Sequence, residues 1–268
     1  MMMIDTTLEP PGRIAILGAD LAGLEAALYA RFLGYDVVVL APGLIGQSWK
    51  RAGAQPLPFL PGRGLSPLAQ RALAAQAGLR EHELVLPTTC ESWGDQVVQG
   101  LAMVDLLADR ILQCRQVQSL VPFVDDLAED IFDFVITCVV DKTADAGAGL
   151  QAGQTPTVTK EESVDQSESW QVEAIIDTLP LAANRWHHTL DLSLRSWADD
   201  DTKGPHQLPG LASPFCQTDY LFRVSAADPG DQRLPTETEI ATVLRQIRLI
   251  FTVLGGRREL DLYRSGRL

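Results

Sequence analysis

The sequence predicts an α/β fold: a central parallel β-sheet with helices packed on it and an accessory β-hairpin. Three observations carry this. Residues 13–41, RIAILGADLAGLEAALYARFLGYDVVVLA, run as apolar strand, glycine turn, helix and second apolar strand. Two strand-like runs, FDFVITCVV at 132–140 and WQVEAIID at 170–177, flank a polar stretch rich in small residues. Near the end, Ile240, Val243, Leu244, Ile247, Phe251 and Leu254 form an apolar stripe at helical spacing, preceded by Thr236-x-x-Glu239. That pair is a capping-box helix start.

The opening unit is the most informative. Ile14–Leu17 is a short apolar run suited to a strand buried on both faces. A helix is predicted over Leu21–Leu33, with Leu21, Leu24, Leu28 and Phe32 on its buried stripe and Gly34 as its stop. Val37–Leu40 is the second strand. This order and spacing, within about 30 residues, define a Rossmann βαβ unit.

The usual turn is G-x-G-x-x-G, whose glycines serve the tight turn, the approach of a pyrophosphate, and close helix–strand packing in that order. Gly18 and Gly23 take the first and third places, and Asp20 takes the second. The place at the end of the second strand, where an acidic residue binds a ribose hydroxyl, holds Ala41. A helix N-terminus offers free N–H groups and a positive dipole end, so it binds anions, and Asp is a favoured N-cap there. Two readings of Asp20 follow: a dinucleotide site that tolerates the acid, or a helix that caps itself.

Further along, residues 42–65 are rich in Gly and Pro and are expected to form a long loop over the carboxyl ends of the strands. Lys50 and Arg51 are the paired basic residues nearest the glycine turn, placed to meet phosphate or to face water. Ser66-Pro67 starts a helix that runs to about Gln76 and stops at Gly78. Another helix is expected over Ser92–Ala108, then strands at 111–121 and 132–140. Residues 144–169 are expected to be a flexible hairpin loop, with the partner strand at 170–177. A short strand is expected at 220–224, and Gly255 ends the final helix. The chain has no internal repeat.

Composition narrows the functional classes. The chain has 268 residues and a net charge of −13, with 13 Asp/Glu against 2 Lys between Val124 and Asp177. This argues against nucleic acid as a partner, and the acid block is expected to be solvated surface. No apolar run is long enough to span a membrane. Residues 1–12 lack the features of a signal peptide and are expected to be a disordered lead. Cys90, Cys114, Cys138 and Cys216 are far apart, with no C-x-x-C, so neither a redox dithiol nor a zinc knuckle is indicated; Cys114 and Cys138 lie in strand-like runs and are expected to be buried thiols, and a reducing cytoplasm fits best. His187 and His188 lie near acids but lack ligand spacing, so no metal site is expected.

The stretch GLEAALYARFLGYDVVVL resembles the FAD-binding half of two-dinucleotide NAD(P)/FAD-dependent oxidoreductases of the thioredoxin-reductase-like and flavin-monooxygenase-like kinds. Ser66-Pro67-Leu68, Leu106-Leu107-Ala108-Asp109-Arg110 and the Gln246-Ile247-Arg248…Leu260-Asp261-Leu262-Tyr263 ending resemble a bacterial branch of that group. The resemblance implies one Rossmann-type FAD/NAD(P)-binding-like domain over 13–268, with an accessory hairpin at about 131–177. It also implies FAD as cofactor, held by Gly18, Ala19, Asp20, Leu21, Ala22, Gly23 and Ala41, with Arg51 as an added contact.

The chain departs from that pattern at four places. Asp20 replaces Gly and Ala41 replaces Glu. The family's Ala-Thr-Gly is matched by Asp177-Thr178-Leu179-Pro180, and a later flavin-facing Gly is matched by about Arg223. Only about forty residues separate Asp177 from Tyr220, too few for the NAD(P) domain. The expectation is therefore an FAD-binding, oxidoreductase-like flavoprotein with reduced or absent catalysis, reduced by a partner protein or a free donor. The alternative is a cofactor-free pseudoenzyme acting as a binding or scaffold protein. A third reading places NAD(P) or another nucleotide in the single site. No catalytic residue is identified.

Overall fold

A computed structural model describes residues 7–124, 132–140, 167–179, 187–188, 213–224, 233–256 and 261–263. In chain order the elements are β1 (Arg13–Leu17), α1 (Leu21–Phe32), β2 (Asp36–Leu40), α2 (Gln47–Ala52), α3 (Pro67–Gln76), α4 (Cys90–Trp93) and α5 (Gln99–Ala102), the last two joined by a π-helical turn at Gly94–Val98. Then come β3 (Ile111–Leu112), β4 (Arg115–Val124), β5 (Phe132–Val140), β6 (Ser167–Val172), β7 (Ala174–Asp177), β8 (His187–His188), β9 (Leu221–Arg223) and α6 (Glu237–Leu254).

The five-stranded sheet has the order β3-β2-β1-β7-β9 and is parallel throughout. The fold is thus the expected α/β, Rossmann-type arrangement around a central parallel sheet. A second sheet, β6-β5-β4-β8, contains the antiparallel pairs β4·β5 and β5·β6. The alternation of β1 explains how three layers form. Ile14 and Ile16 point into one core with α1, α3 and α6; Ala15 and Leu17 point into a second core with Leu120, Phe134, Ile136 and Cys138 of the antiparallel sheet. Side chains of a strand alternate between faces, so a continuous apolar run serves both cores.

Several expectations are corrected. The 42–65 stretch is not all loop, because α2 and a 3₁₀ turn at Pro61–Arg63 lie within it, anchored by the fully buried Trp49. The 92–108 helix ends at Ala102, and the chain continues in turns. The predicted strand 111–121 is two strands. Cys114 adopts a left-handed φ of 57°, so Ile111–Leu112 joins the parallel sheet and Arg115–Val124 the antiparallel one. Residues 170–177 divide likewise at Glu173, so only the part up to Val172 belongs to the hairpin. Phe32 is 50% exposed, because α1 is buried nearly all round up to Ala30 while its last turn faces out.

Of the expected 1–12 lead, residues 1–6 lie outside the described residues, and within 7–12 Leu8 packs against the core. Leu8 donates its N–H to Leu254 O (2.7 Å) and accepts from the Tyr35 hydroxyl (2.7 Å). The expected 144–169 loop falls outside the described residues except for 167–169, which lie in β6. Ser66 caps α3 and Thr236 with Glu239 boxes α6, as expected. All four cysteines are free and buried. Among the described residues, no helix is long and apolar enough to cross a membrane, and no cluster of three metal-ligating side chains occurs.

Candidate functional site

The chain passes from β1 to β2 and β3 on one side, then returns to β7 and β9 on the other. The strand order therefore reverses between β1 and β7, and the carboxyl ends of these strands are where an open α/β sheet binds ligands. The glycine turn sits there. Gly18 has φ +104°, a conformation side chains rarely adopt, and donates its N–H to Leu40 O at 2.8 Å. Gly23 lies beneath it: a Cβ at 23 would stand 2.0 Å from the Gly18 carbonyl oxygen. Gly23 is therefore required by packing. Thr178, at the end of β7, donates its hydroxyl to Leu17 O (2.8 Å) and closes the other side of the turn.

Asp20 is the N-cap of α1, with extended φ −86° and ψ −177°. Three donors meet its carboxylate. Oδ1 accepts from the Leu21 N–H (2.8 Å) and from Trp49 Nε1 (2.7 Å); Oδ2 accepts from the Ser48 hydroxyl (2.8 Å). Trp49 is held in turn by edge contacts with Phe59 (5.9 Å) and a tilted contact with Trp93 (6.2 Å). The acid is thus fixed in front of the helix N-terminus by α2. Neither Ser48 nor Trp49 was singled out from sequence, although a lone Trp in a Gly- and Pro-rich polar stretch was the available signal.

A cleft of about 470 Å³ opens over this turn. Gly18, Ala19, Asp20, Leu21, Ala22, Ala41 and Arg51 all line it, so the structure gathers every predicted site residue except Gly23, which packs below. Ala41 is 2% exposed, and its N–H and carbonyl are both used, to Leu112 O and from Arg115 N–H. Its methyl presents no acceptor. Lys50 is paired with Asp95 at 2.7 Å, whereas Arg51 forms no ion pair among the described residues. The far wall, missed in sequence, comes from α6 through Ile240, Val243 and Leu244. There Glu239 holds Arg233, and this hydrogen-bonded guanidinium, with Thr236, lowers the carboxyl to about 2.

Two buried acids flank the cleft. Asp177, ending β7, pairs with Arg223, ending β9, at 3.1 Å, and both side chains are under 10% exposed. Asp177 also accepts from the Leu179 N–H (3.0 Å). The positions matched to Ala-Thr-Gly and to the later Gly are therefore filled by a buried ion pair. Glu25, on α1, accepts from both the N–H (2.8 Å) and the hydroxyl (2.6 Å) of Ser66. Burial raises its carboxyl to about 7, against the opposing Ser66 bonds.

Fold and site together define a Rossmann-type α/β architecture with a cleft at the point where the strand order reverses. No family model matches the chain, and neither does any curated protein. Among solved structures it is similar to a polycyclic ketone monooxygenase from the thermophilic fungus Thermothelomyces thermophila (16% identity, 62% of this chain and 23% of that one, TM-score 0.39). It is also similar to an S-allyl-L-cysteine S-oxygenase from Allium sativum (9% identity, 62% and 36%, TM-score 0.40) and to an oxidized steroid monooxygenase bound to NADP (13% identity, 62% and 26%, TM-score 0.40). The chain spans 23–36% of the length of these structures.

Proposed function

We propose that the chain is a cofactor-free binding protein on a Rossmann-type fold, with the dinucleotide position closed by its own side chain. The carrying observation is the carboxylate of Asp20, held by Leu21 N–H, Trp49 Nε1 and Ser48 Oγ in front of α1. It takes up a helix N–H that a pyrophosphate would use. A second anion at about 4 Å would be repelled by ~4 kcal/mol in a surface cleft. Ala41 offers no acceptor to a ribose, and the Asp177–Arg223 pair fills the ends of β7 and β9. The residues present do not fit a dinucleotide, so no redox step is assigned. The free, buried thiols favour a reducing, cytoplasmic setting.

The second reading is an FAD-binding flavoprotein with reduced catalysis, served by an electron donor. It is favoured by Gly18 and by an open cleft at the strand-order switch. The test is an absorbance spectrum of freshly purified protein, then thermal melts with FAD. The proposal expects colourless protein and no shift, with FAD binding gained only by the double variant Asp20→Gly/Ala41→Glu. A flavin band at near-stoichiometric occupancy in the unaltered chain would overturn it.

A further inference from the structure

The cleft keeps its volume and walls even where the dinucleotide positions are closed, and its charges single out a ligand class. About 470 Å³ lies within the range of small-molecule pockets. Leu21 and Ala22 of α1 face it on one side, and Ile240, Val243 and Leu244 of α6 on another. Leu44, on its rim, is an apolar side chain left 44% exposed. The charged groups lining the cleft are mostly spoken for. Arg233 is bound to Glu239. Asp20 is satisfied by three donors, and Glu25 by Ser66. Arg51 is the exception, a cleft-lining cation with no acid partner among the described residues, while neighbouring Lys50 is neutralised by Asp95.

Resting on the cofactor-free reading, we infer that the cleft takes a small amphipathic monocarboxylate, its apolar body against α6 and its carboxylate on the Arg51 guanidinium. A carboxylate matches the planar fork of arginine in a two-point hydrogen bond. An amine of the same shape would meet Arg51 as a like charge, and an alcohol would leave that charge unpaired. A dianion such as a pyrophosphate is disfavoured by Asp20, so the site selects one negative charge on an apolar body.

The experiment titrates the full chain with the fluorescent fatty acid dansylundecanoate and displaces it with decanoate, decanol or decylamine. Decanoate is expected to displace the probe up to about fivefold more effectively than the other two, the discrimination of a charge pair on the exposed Arg51. Arg51→Ala is expected to weaken probe binding by up to about fivefold with an unchanged melting temperature, and Arg51→Lys to restore part of it. Leu44→Asp, at an exposed site, is expected to weaken it as well. Absence of probe binding, equal displacement by the three competitors, or an Arg51→Ala protein that binds like the unaltered chain would each overturn the assignment. FAD titrated into the same sample keeps the two readings apart. Flavin binding would sink the cofactor-free reading, whereas failure of both FAD and decanoate would remove the ligand class alone.

Discussion

The indole N–H of Trp49 and the carboxylate of Asp20 meet at 2.7 Å, tying α2 to the first turn of α1 across 29 positions of sequence. The bond is charge-assisted, and the indole that makes it is fully buried. Trp49→Phe keeps a ring in the aromatic cluster but strips the donor. It is expected to cost about 1.5–3 kcal/mol, measured by urea denaturation. A loss under about 0.5 kcal/mol would show that the bond does not hold α2 in place.

Gly23 and Gly53 make a contrasting pair. A methyl at 23 would collide with the Gly18 carbonyl oxygen, whereas one at 53 would meet nothing within 4 Å, although φ there is +64°. Gly23→Ala is expected to destabilise by at least about 3 kcal/mol, at or beyond the upper end of ordinary overpacking. Gly53→Ala is expected to cost about 1 kcal/mol from backbone strain alone. Thermal melts of the two variants side by side decide this; equal costs would contradict the packing role given to Gly23.

Asp177 and Arg223 form a buried pair at the ends of adjacent parallel strands. Arg223→Met alone leaves an uncompensated buried carboxylate and is expected to cost about 3–5 kcal/mol. Adding Asp177→Asn removes that charge, so the double variant is expected to be more stable than Arg223→Met. A double-mutant cycle in denaturant provides the number, and additive losses would refute the coupling.

Glu25 gives stability a pH dependence of definite sign. Its carboxyl has a value of about 7 in the folded chain against 4.5 when free, because burial outweighs the Ser66 hydrogen bonds. Between these values the folded state binds the proton and the unfolded state does not. Stability is therefore highest below about pH 4.5 for this group, falls as pH rises to about 7, and levels above it. The loss is on the order of 3 kcal/mol. Denaturation at pH 5 and pH 8 should show the slope, and Glu25→Gln should flatten it. An unchanged slope in the variant would assign the effect to other groups.

Much of the fold was legible because its signals are local. β1, the glycine turn, α1 and β2 follow one another within a single βαβ unit, and capping residues mark the starts of α3 and α6. What was not legible depends on long-range geometry. The strands predicted at 111–121 and 170–177 each divide between two sheets, at Cys114 and at Glu173, and no periodicity announces that change of partner. α2 was hidden by glycines and prolines that mark its boundaries. At the site, the backbone turn was visible, but the meaning of Asp20 depends on Ser48 and Trp49, which only the folded chain brings to it. The Asp177–Arg223 pair was likewise visible only as two departures from a pattern, 46 positions apart.

The glycine turn answers to two masters at different residues. Gly23 is retained by the carbonyl that presses on it from Gly18, whatever the crevice holds, while residue 20 faces outward into the crevice. Gly23 is thus a record of how the chain folds and carries no testimony about what the chain binds.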